Sequence, residues 1–314
     1  MPHPVIVDTD PGRDDAVALM LACGAGGPDG LDVRAVTTVA GNVSLEKTTR
    51  NALGVLALAG RADVPVAAGA RKPLHRELVT AEHVHGESGL DMPGGPGLPE
   101  PLSGPDPRDA VSLMAEVLES SPEPVTLIPI GPLTNVAILL DRRPELAGKI
   151  GRVVMMGGSV GSGNTTPAAE FNVYADPEAA RAVFGGGLPL TMVGLDVTGR
   201  AVAGEGHLRR LRSMGAVGEI AAALLVEPEW RPRRGEPAAV HDAVAVAAAL
   251  EPGVLETRPM RVEVECAGEH TTGETVCDVT GISGRPPNAE VAVRLDVERV
   301  MELLLASVGR LAGA

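Results

Sequence analysis

The chain has 314 residues, of which 44% are apolar and 22% charged, a balance typical of a globular protein with a large buried core. Its formal net charge of −14 disfavours nucleic acid as a partner, because binding a phosphate backbone requires a basic surface. No apolar run approaches the roughly 20 residues of a membrane span, and no basic segment precedes the first apolar run. We therefore predict neither a membrane helix nor a signal peptide.

The cysteines and the aromatic residues further limit the class of protein and the composition of its core. Cys23, Cys266 and Cys277 lie far apart without a C-x-x-C pair, which argues against a disulfide framework and against a zinc ribbon. A reducing compartment is therefore favoured, and we predict a cytoplasmic protein. Aromatic side chains are so few that the core must be aliphatic. They are Phe171, Tyr174, Phe184 and Trp230.

In the first half of the chain, short apolar runs alternate with helical patterns. Val5–Val7 predicts a strand, and the spacing of apolar residues over 14–22 predicts a helix. A strand over 31–42 and a helix over 45–60, closed by glycine, follow. The segment 124–140 predicts a strand, a Gly-Pro turn and a second helix.

The second half continues the alternation and then departs from it. Strands are predicted over 151–158 and 188–198, and a helix over 238–250. Alternating residues around a glycine-rich turn in 260–279 predict an antiparallel hairpin, and 297–311 closes the sequence as a helix. We therefore predict an α/β fold: a mostly parallel, open, Rossmann-like sheet flanked by helices, with a small antiparallel hairpin near the C-terminus.

No composition shift marks a domain boundary, so residues 1–314 are predicted to form a single α/β domain. Two Pro/Gly-rich segments, 92–107 and 226–237, are predicted to be long loops. Long loops in compact α/β domains often serve as binding loops.

Four aspartates, Asp8, Asp10, Asp14 and Asp15, fall within eight positions at the end of the first strand. Two carboxylates about 4 Å apart repel by roughly 4 kcal/mol at an effective dielectric constant near 20. Helix capping by Asp14 and Asp15 is the simpler explanation. Four carboxylates around a Pro-Gly turn favour a hard-cation site instead, with Ca²⁺ or Mg²⁺ as candidates, and Ca²⁺ accepts backbone carbonyls more readily.

Several polar residues are expected to meet at one edge of the predicted sheet. Asp10, Asn42, the turn at Ile130 and the segment 157–172 each follow the carboxyl end of a predicted strand. In open α/β sheets ligands bind outside these ends, so the aspartates are expected to lie in a crevice.

Other candidate residues carry weaker signals. The pair His241-Asp242 opens a predicted helix, and two histidines lie in a glycine-rich loop at 83–86. Taken alone, each is better explained by capping or by solvation. Amide and carboxylate groups between 164 and 172 suit sugar hydroxyls and ordinary turns equally well. Neither G-x-x-x-x-G-K-[ST] nor G-x-G-x-x-G occurs, so the common phosphate-binding templates are absent from the sequence.

Taken in order, these motifs resemble one enzyme family. The chain resembles the nucleoside hydrolases of the inosine–uridine-preferring type from about Val5 to the final helix. The resemblance is carried by DTDPGRDDAVAL, AGN ending at Asn42, HGESGL, GPLTN, MMGG, PAAEFNVYADPEAA and VHDAVAV. The D-T-D-P-G-x-D-D signature is highly specific to that family.

The resemblance implies a calcium-dependent hydrolysis of the N-glycosidic bond of ribonucleosides. It implies that Ca²⁺ is bound by the side chains of Asp10, Asp15 and Asp242 and by the backbone carbonyl of Ile130. It also implies that Asp10 is the general base on a calcium-bound water and that His241 protonates the departing base. Histidine suits an acid role because it titrates near neutral pH.

The resemblance further implies the residues that contact substrate. Contacts to the ribose or the base are implied for Asp14, Asn42, His85, Met156, Asn164, Glu170, Phe171, Asn172 and Trp230. The expected partner is a small ribonucleoside, and a homo-oligomer, dimer or tetramer, is usual in the family. Relatives often carry tyrosines before His241, where this chain offers only Trp230, and often an arginine where this chain has TTG at 271–273. Purine or pyrimidine preference is therefore open at this point.

Two other functions compete with this one. A Mg²⁺ phosphohydrolase could use Asp8 or Asp10 of the D-x-D strand end as nucleophile, but no downstream lysine motif supports it. A calcium-dependent protein that binds sugars or nucleosides without catalysis is the other alternative, and the presence of both Asp10 and His241 argues against it.

Overall fold

The computed structural model describes residues 2–92, 95–227, 235 and 237–313. Nine strands form one sheet in the order β3-β2-β1-β4-β5-β6-β9-β7-β8. The strands are β1 (His3–Thr9), β2 (Leu31–Thr38), β3 (Val66–Ala68), β4 (Val125–Pro129), β5 (Ile150–Met156), β6 (Leu190–Val193), β7 (Leu255–Val264), β8 (Thr275–Asp278) and β9 (Ala289–Leu295).

Helices connect and cover these strands. They are α1 (Arg13–Gly24), α2 (Leu45–Leu58), α3 (Glu82–His85), α4 (Ala110–Ser120), α5 (Thr134–Arg142), α6 (Phe171–Ala175), α7 (Pro177–Gly185), α8 (Leu195–Thr198), α9 (Glu205–Arg212), α10 (Gly215–Leu224), α11 (His241–Leu250) and α12 (Val297–Ala312), with 3₁₀ turns at Pro144–Lys149 and Pro252–Val254.

The sheet confirms the predicted α/β class. The pairs from β3 across to β9 are parallel, whereas β7 pairs antiparallel with both β8 and β9. The hairpin predicted in 260–279 is the β7–β8 pair. The order 3-2-1-4-5-6 reverses direction between β1 and β4, and in Rossmann-like sheets the ligand crevice lies at that reversal.

Two predicted strands are shorter than the sequence suggested. The strand predicted over 188–198 ends at Val193, and Leu195–Thr198 is a helical turn instead. Its apolar residues are buried against neighbouring elements, and burial produces the same apolar run in a strand and in a short helix. The strand predicted over 31–42 ends at Thr38.

The predicted loop over 92–107 contains no helix or strand within its described residues 92 and 95–107. Most of the loop predicted over 226–237 lies outside the described residues. No helix in the described part of the chain is both long and apolar enough to cross a membrane.

The core is aliphatic, as the scarcity of aromatic residues predicts, and methionines such as Met20 and Met114 help to fill it. Helix α1 is buried on nearly all sides, because it packs against both α11 and α12. A helix that is apolar all round is stable only in such a position. The start of α1 is therefore held firmly at the edge of the sheet where the ligand crevice is expected.

Arg13, the first residue of α1, is only 6% exposed and links three parts of the chain. Its Nη1 donates to the carbonyl of Asp91 at 2.6 Å. Its Nη2 donates to the carbonyls of Ala223 (3.0 Å), Leu224 (2.9 Å) and Val226. The guanidinium thus joins the end of α10 and the loop after α3 to the start of α1.

We expect Arg13→Leu to destabilise the fold, because four carbonyls, one buried and three partly buried, would lose this donor. A buried polar group left unpaired costs about 1–3 kcal/mol. The check is the midpoint of thermal and urea unfolding, measured in EDTA so that metal binding does not contribute.

Arg294→Leu is the matched control. Arg294 is exposed and, among the described residues, makes only a surface ion pair with Glu256, and such pairs contribute roughly 0–1 kcal/mol. Equal midpoints for the two variants would contradict the role given to Arg13.

Candidate active site

A cavity of about 400 Å³ lies beyond the carboxyl ends of β1, β4 and β5, a volume suited to a small organic ligand. Most of the site residues predicted from the sequence line it. They are Asp14, Asp15, Asn42, His85, Ile130, Met156, Asn164, Glu170, Phe171, Asn172, His241 and Asp242. Asp10 is fully buried and does not line the cavity. Trp230 lies outside the described residues.

Three carboxylates meet at one end of this cavity. Asp14 and Asp15 lie in the first turn of α1 and Asp242 in the first turn of α11, and each offers an oxygen within 4.8 Å of the others. Burial raises the pKa of Asp14 and of Asp15 to about 6, and for Asp15 the charge of Asp14 adds to it. Burial, followed by the charges of Asp14, Asp15 and Asp10, raises the pKa of Asp242 well above its usual range.

Asp10 lies beside this cluster, just past the end of β1. Its Oδ2 accepts a hydrogen bond from the backbone N–H of Asn42 at 2.7 Å. Its Oδ1 is buried and has no hydrogen-bond partner in the described part of the chain. Burial and the charge of Asp15 raise the pKa of Asp10 well above its usual range. A Cβ on Gly41 or on Gly131 would collide with this carboxylate, so both positions require glycine.

Asp15 is held by donors from three different segments. Thr9 donates its hydroxyl at 2.6 Å, the backbone N–H of Gly12 donates at 3.0 Å, and the Asn42 amide donates at 3.1 Å. Asn42 therefore bonds to Asp15 through its side chain and to Asp10 through its backbone. This arrangement fixes the positions of the two carboxylates relative to each other.

The donor set at this end fits a hard cation. All the groups are oxygens, and the buried Oδ1 of Asp10 lacks the partner that a buried charge requires. The Ile130 carbonyl accepts from the Asn172 amide at 2.9 Å, which leaves its second lone pair for another ligand. Asp10, Asp15, Asp242 and Ile130 could therefore hold Ca²⁺, which favours carboxylates and backbone carbonyls.

Beside the carboxylates, Asn164, Glu170 and Asn172 form a polar wall of the cavity around α6. Glu170 caps this helix by accepting from the N–H groups of Asn172 (2.8 Å) and Val173 (3.1 Å), and burial raises its pKa to about 7. The Asn172 amide donates to Ile130 and to Met156. The Asn164 side chain is held through its Oδ1, which accepts a hydrogen bond from the backbone N–H of Phe171 at 3.0 Å.

His241 faces the cavity from the first position of α11. Its Nδ1 lies 2.8 Å from the hydroxyl of Thr198. Burial lowers the pKa of His241 to about 4, below the near-neutral value expected from the sequence, while the charge of Glu227 acts in the opposite direction. Glu227 also lines the cavity.

His85 lines the cavity from the end of α3. Its Nδ1 accepts from the backbone N–H of Arg13 at 3.1 Å. Because Arg13 begins α1, the position of this ring is coupled to the helix that carries Asp14 and Asp15.

Asp8 is separate from the other three aspartates of the N-terminal motif. It lies within β1, where its Oδ1 accepts from the Thr37 hydroxyl at 2.6 Å and from the Asn135 amide at 2.8 Å. Burial raises its pKa to about 7. Asp10 interacts with the charges of Asp14 and Asp15, whereas Asp8 is bound to Thr37 and Asn135, so the geometry gives no support to Asp8 as a nucleophile.

Arg13, Thr198 and Glu227 belong to the site or support it, and the sequence did not predict them. Arg13 occupies the x of D-T-D-P-G-x-D-D, a place where the motif prescribes no residue type. The strand predicted over 188–198 hid Thr198. A strand that ends at Val193 puts Thr198 just past a strand's carboxyl end, where site residues are expected. No local pattern distinguishes Glu227.

Comparison with known proteins agrees with this geometry. Residues 5–302 match the family model described as "inosine-uridine preferring nucleoside hydrolase". The chain is 47% identical to the pyrimidine-specific ribonucleoside hydrolase RihA of Photobacterium profundum, over 97% of this chain and 98% of that protein. It is 48% identical to the RihA protein of Escherichia coli O9:H4, over 97% of each chain.

Solved structures of related enzymes share the fold. A purine-preferring ribonucleoside hydrolase from Gardnerella vaginalis superimposes with a TM-score of 0.88 at 29% identity, covering 98% of this chain and 99% of that one. An inosine-guanosine nucleoside hydrolase superimposes with a TM-score of 0.87 at 32% identity, covering 98% of each chain. With its sequence matched over nearly its whole length and its fold shared, the chain belongs to the inosine-uridine preferring nucleoside hydrolase family and is a nucleoside hydrolase.

Proposed function

We propose that the enzyme cleaves the N-glycosidic bond of pyrimidine ribonucleosides in a calcium-dependent reaction and releases ribose and the free base. The observation that carries the proposal is the convergence of Asp14, Asp15, Asp242 and His241 on one cavity of about 400 Å³. Carboxylates at one end suit a cation and a positively charged sugar, and a ring N–H suits a departing base.

The calcium ion would be held by Asp10, Asp15, Asp242 and the Ile130 carbonyl. The buried oxygen of Asp10 that lacks a partner supports this assignment. When bound, calcium supplies a Lewis acid that lowers the pKa of a water molecule and offsets the repulsion among the carboxylates.

Asp10 would act as the general base. It takes a proton from the attacking water, whose oxygen then forms a bond to the anomeric carbon of the ribose. Burial and the neighbouring charge of Asp15 raise the pKa of Asp10, which makes it a stronger base than an ordinary aspartate. The Asn42 N–H holds one carboxylate oxygen in place.

The ribose would lie against the polar wall, where its hydroxyls contact Asp14, Asn164, Glu170 and Asn172. As the bond to the base breaks, positive charge accumulates on the sugar, as in other glycosyl transfers. The nearby carboxylates favour that charge more than they favour the neutral substrate. Met156 forms the apolar face below this polar group.

His241 would protonate the departing base. The electron pair of the broken bond goes to the base, which accepts a hydrogen bond from the ring N–H and takes its proton as negative charge builds on it. Solvent water then returns a proton to the ring. General acid catalysis of this kind contributes about 10²–10⁴-fold to the rate. His85, Phe171 and Trp230 would complete the binding site for the base.

A pyrimidine preference is supported by the relatives at 47–48% identity, which are named as pyrimidine-specific, whereas the two solved relatives described above, at 29% and 32% identity, are named for purine nucleosides. Among the described residues that line the cavity, Phe171 is the one Phe, Tyr or Trp, beside the imidazole rings of His83, His85 and His241. Such a wall offers few large rings on which to stack a purine. The homo-oligomeric state and the cytoplasmic location stay predictions from the sequence.

We expect ribose release from uridine and cytidine to exceed release from inosine and adenosine by at least about tenfold, since one hydrogen bond or one well-packed contact is worth about that factor. EDTA should remove the activity, and added Ca²⁺ should restore it. A reducing-sugar assay on the four nucleosides provides the measurement. Purines cleaved faster than pyrimidines would refute the preference, and activity that survives complete chelation would refute the calcium role.

Asp10→Asn should lower kcat about 10²–10⁴-fold, because the amide cannot accept the proton of water. Binding of uridine, followed by calorimetry, should persist, because the ribose contacts lie on other residues. Asp63→Asn is the control, since Asp63 is exposed and its one ion pair in the described part of the chain is with Arg61. A near-normal rate for Asp10→Asn would show that the base is another group.

Calcium should stabilise the protein more at pH 8 than at pH 5. The pKa values of Asp14 and Asp15 are raised from 3.8 to about 6, so the folded state binds protons more tightly than the unfolded state. Without metal, the free energy of unfolding therefore falls as the pH rises between these values. Calcium competes with those protons and adds stability where the carboxylates are ionised.

The measurement is the thermal midpoint in EDTA and in excess Ca²⁺ at the two pH values. Asp242→Asn should reduce the calcium-dependent gain at pH 8. A gain at pH 5 equal to that at pH 8 would contradict binding through these carboxylates.

A further inference from the structure

His241 has a fixed hydrogen-bond partner behind the cavity. Its Nδ1 lies 2.8 Å from the Oγ1 of Thr198, the last residue of α8. Thr198 is fully buried. Within the described part of the chain, its hydroxyl makes no other hydrogen bond. The ring lines the cavity and its Nδ1 is turned towards Thr198, so Nε2 is the ring nitrogen on the side away from that contact.

The single proton of the Thr198 hydroxyl decides the form of the neutral ring. A neutral imidazole carries hydrogen on one nitrogen only, and the other nitrogen accepts. If Nδ1 carried the hydrogen, the hydroxyl would accept and its own proton would point at no acceptor in a dry interior, which is unfavourable. If the hydroxyl donates instead, both groups are satisfied. Nδ1 then accepts, and the hydrogen of the neutral ring is on Nε2.

Backbone hydrogen bonds near each of the two residues hold Thr198 and His241 at this separation. Thr198 donates its N–H to the carbonyl of Gly194 at 3.1 Å, which closes the short helix. Val240, immediately before His241, donates its N–H to the carbonyl of Ala201 at 2.8 Å. The hydroxyl therefore does not depend on the histidine for its position, and it can orient the ring rather than follow it.

We propose that Thr198 is a positioning residue whose hydroxyl donates a hydrogen bond to Nδ1 of His241, keeps the neutral ring in the Nε2–H tautomer and so directs that N–H at the departing base as a hydrogen-bond donor. The inference rests on the proposed function, because it assigns the way in which His241 presents its hydrogen to the leaving group. Thr198 does not line the cavity. Its effect is on the choice of tautomer and on the angle of the ring.

The first test is the ¹⁵N NMR spectrum of histidine-labelled protein at pH 8, where the neutral ring predominates. His241→Gln identifies the signals of this ring among the seven histidines. In the wild type we expect Nδ1 to be unprotonated and Nε2 to carry the hydrogen. Thr198→Val, which has the same shape and no hydroxyl, should shift the Nδ1 signal or produce a mixture of tautomers. Thr198→Ser should retain the wild-type pattern.

The second test compares two leaving groups. The uracil of uridine needs a hydrogen donor, whereas p-nitrophenolate leaves readily without one. Thr198→Val should lower kcat on uridine about tenfold, with KM little changed, and lower kcat on p-nitrophenyl riboside by less than about threefold. Thr198→Ser should recover most of the loss, and His241→Ala should show the same selectivity with a larger effect. Thr48→Val, another buried threonine whose hydroxyl bonds only to backbone carbonyls, controls for a general loss of packing.

A protonated Nδ1 in the wild type would overturn the inference, as would equal losses of Thr198→Val on both substrates. A loss of kcat in Thr48→Val that is likewise larger on uridine than on p-nitrophenyl riboside would also overturn it. If the wild-type enzyme released no ribose from either substrate, the proposed function would fail, and the NMR spectrum would still decide the tautomer.

Discussion

Burial of several like charges at one point is the constraint on which the rest of this site depends. Asp10, Asp15 and Asp242 are almost completely buried, and their carboxylates repel one another in a medium that screens poorly. Two helices reduce this repulsion, because α1 and α11 both direct their positive N-terminal ends at the cluster. Burial, and after it the charges of neighbouring aspartates, still raises the pKa values of these carboxylates. The proposed calcium ion would offset the repulsion that the helices leave.

The surrounding structure serves to hold these carboxylates in place. Asn42 bonds to both Asp10 and Asp15, and the absence of side chains at Gly41 and Gly131 leaves room for the Asp10 carboxylate. These residues follow three different strands, and the reversal of strand order between β1 and β4 brings those strand ends together. The fold thus brings the strand ends together, and Asn42 and the two glycines provide the hydrogen bonds and the space that the carboxylates require.

The proposed reaction places opposite charges on its two products. In that proposal the carboxylates favour the positive charge that develops on the sugar, and the ring N–H of His241 favours the negative charge that develops on the base. The residues around His241 and the start of α1 are held by contacts between distant segments. Arg13 joins α1 to α10 and to the loop after α3, and Thr198 contacts the ring of His241. A substitution of Arg13 or Thr198 is therefore expected to change the orientation of α1 or of the His241 ring, while the carboxylates and the histidine themselves remain.

The sequence by itself determined the α/β class, because the alternation of apolar runs with helical patterns is local. It also determined the edge of the sheet where the site lies and, through motif resemblance, most of the cavity's lining. Only the tertiary structure decided that Asp8 and Asp10, two positions apart, belong to different networks, and that the segment 195–198 is a helix. It alone revealed Arg13 and Thr198, whose partners lie up to 213 and 43 residues away. Such contacts leave no pattern in the neighbouring sequence, because they depend on which elements pack together.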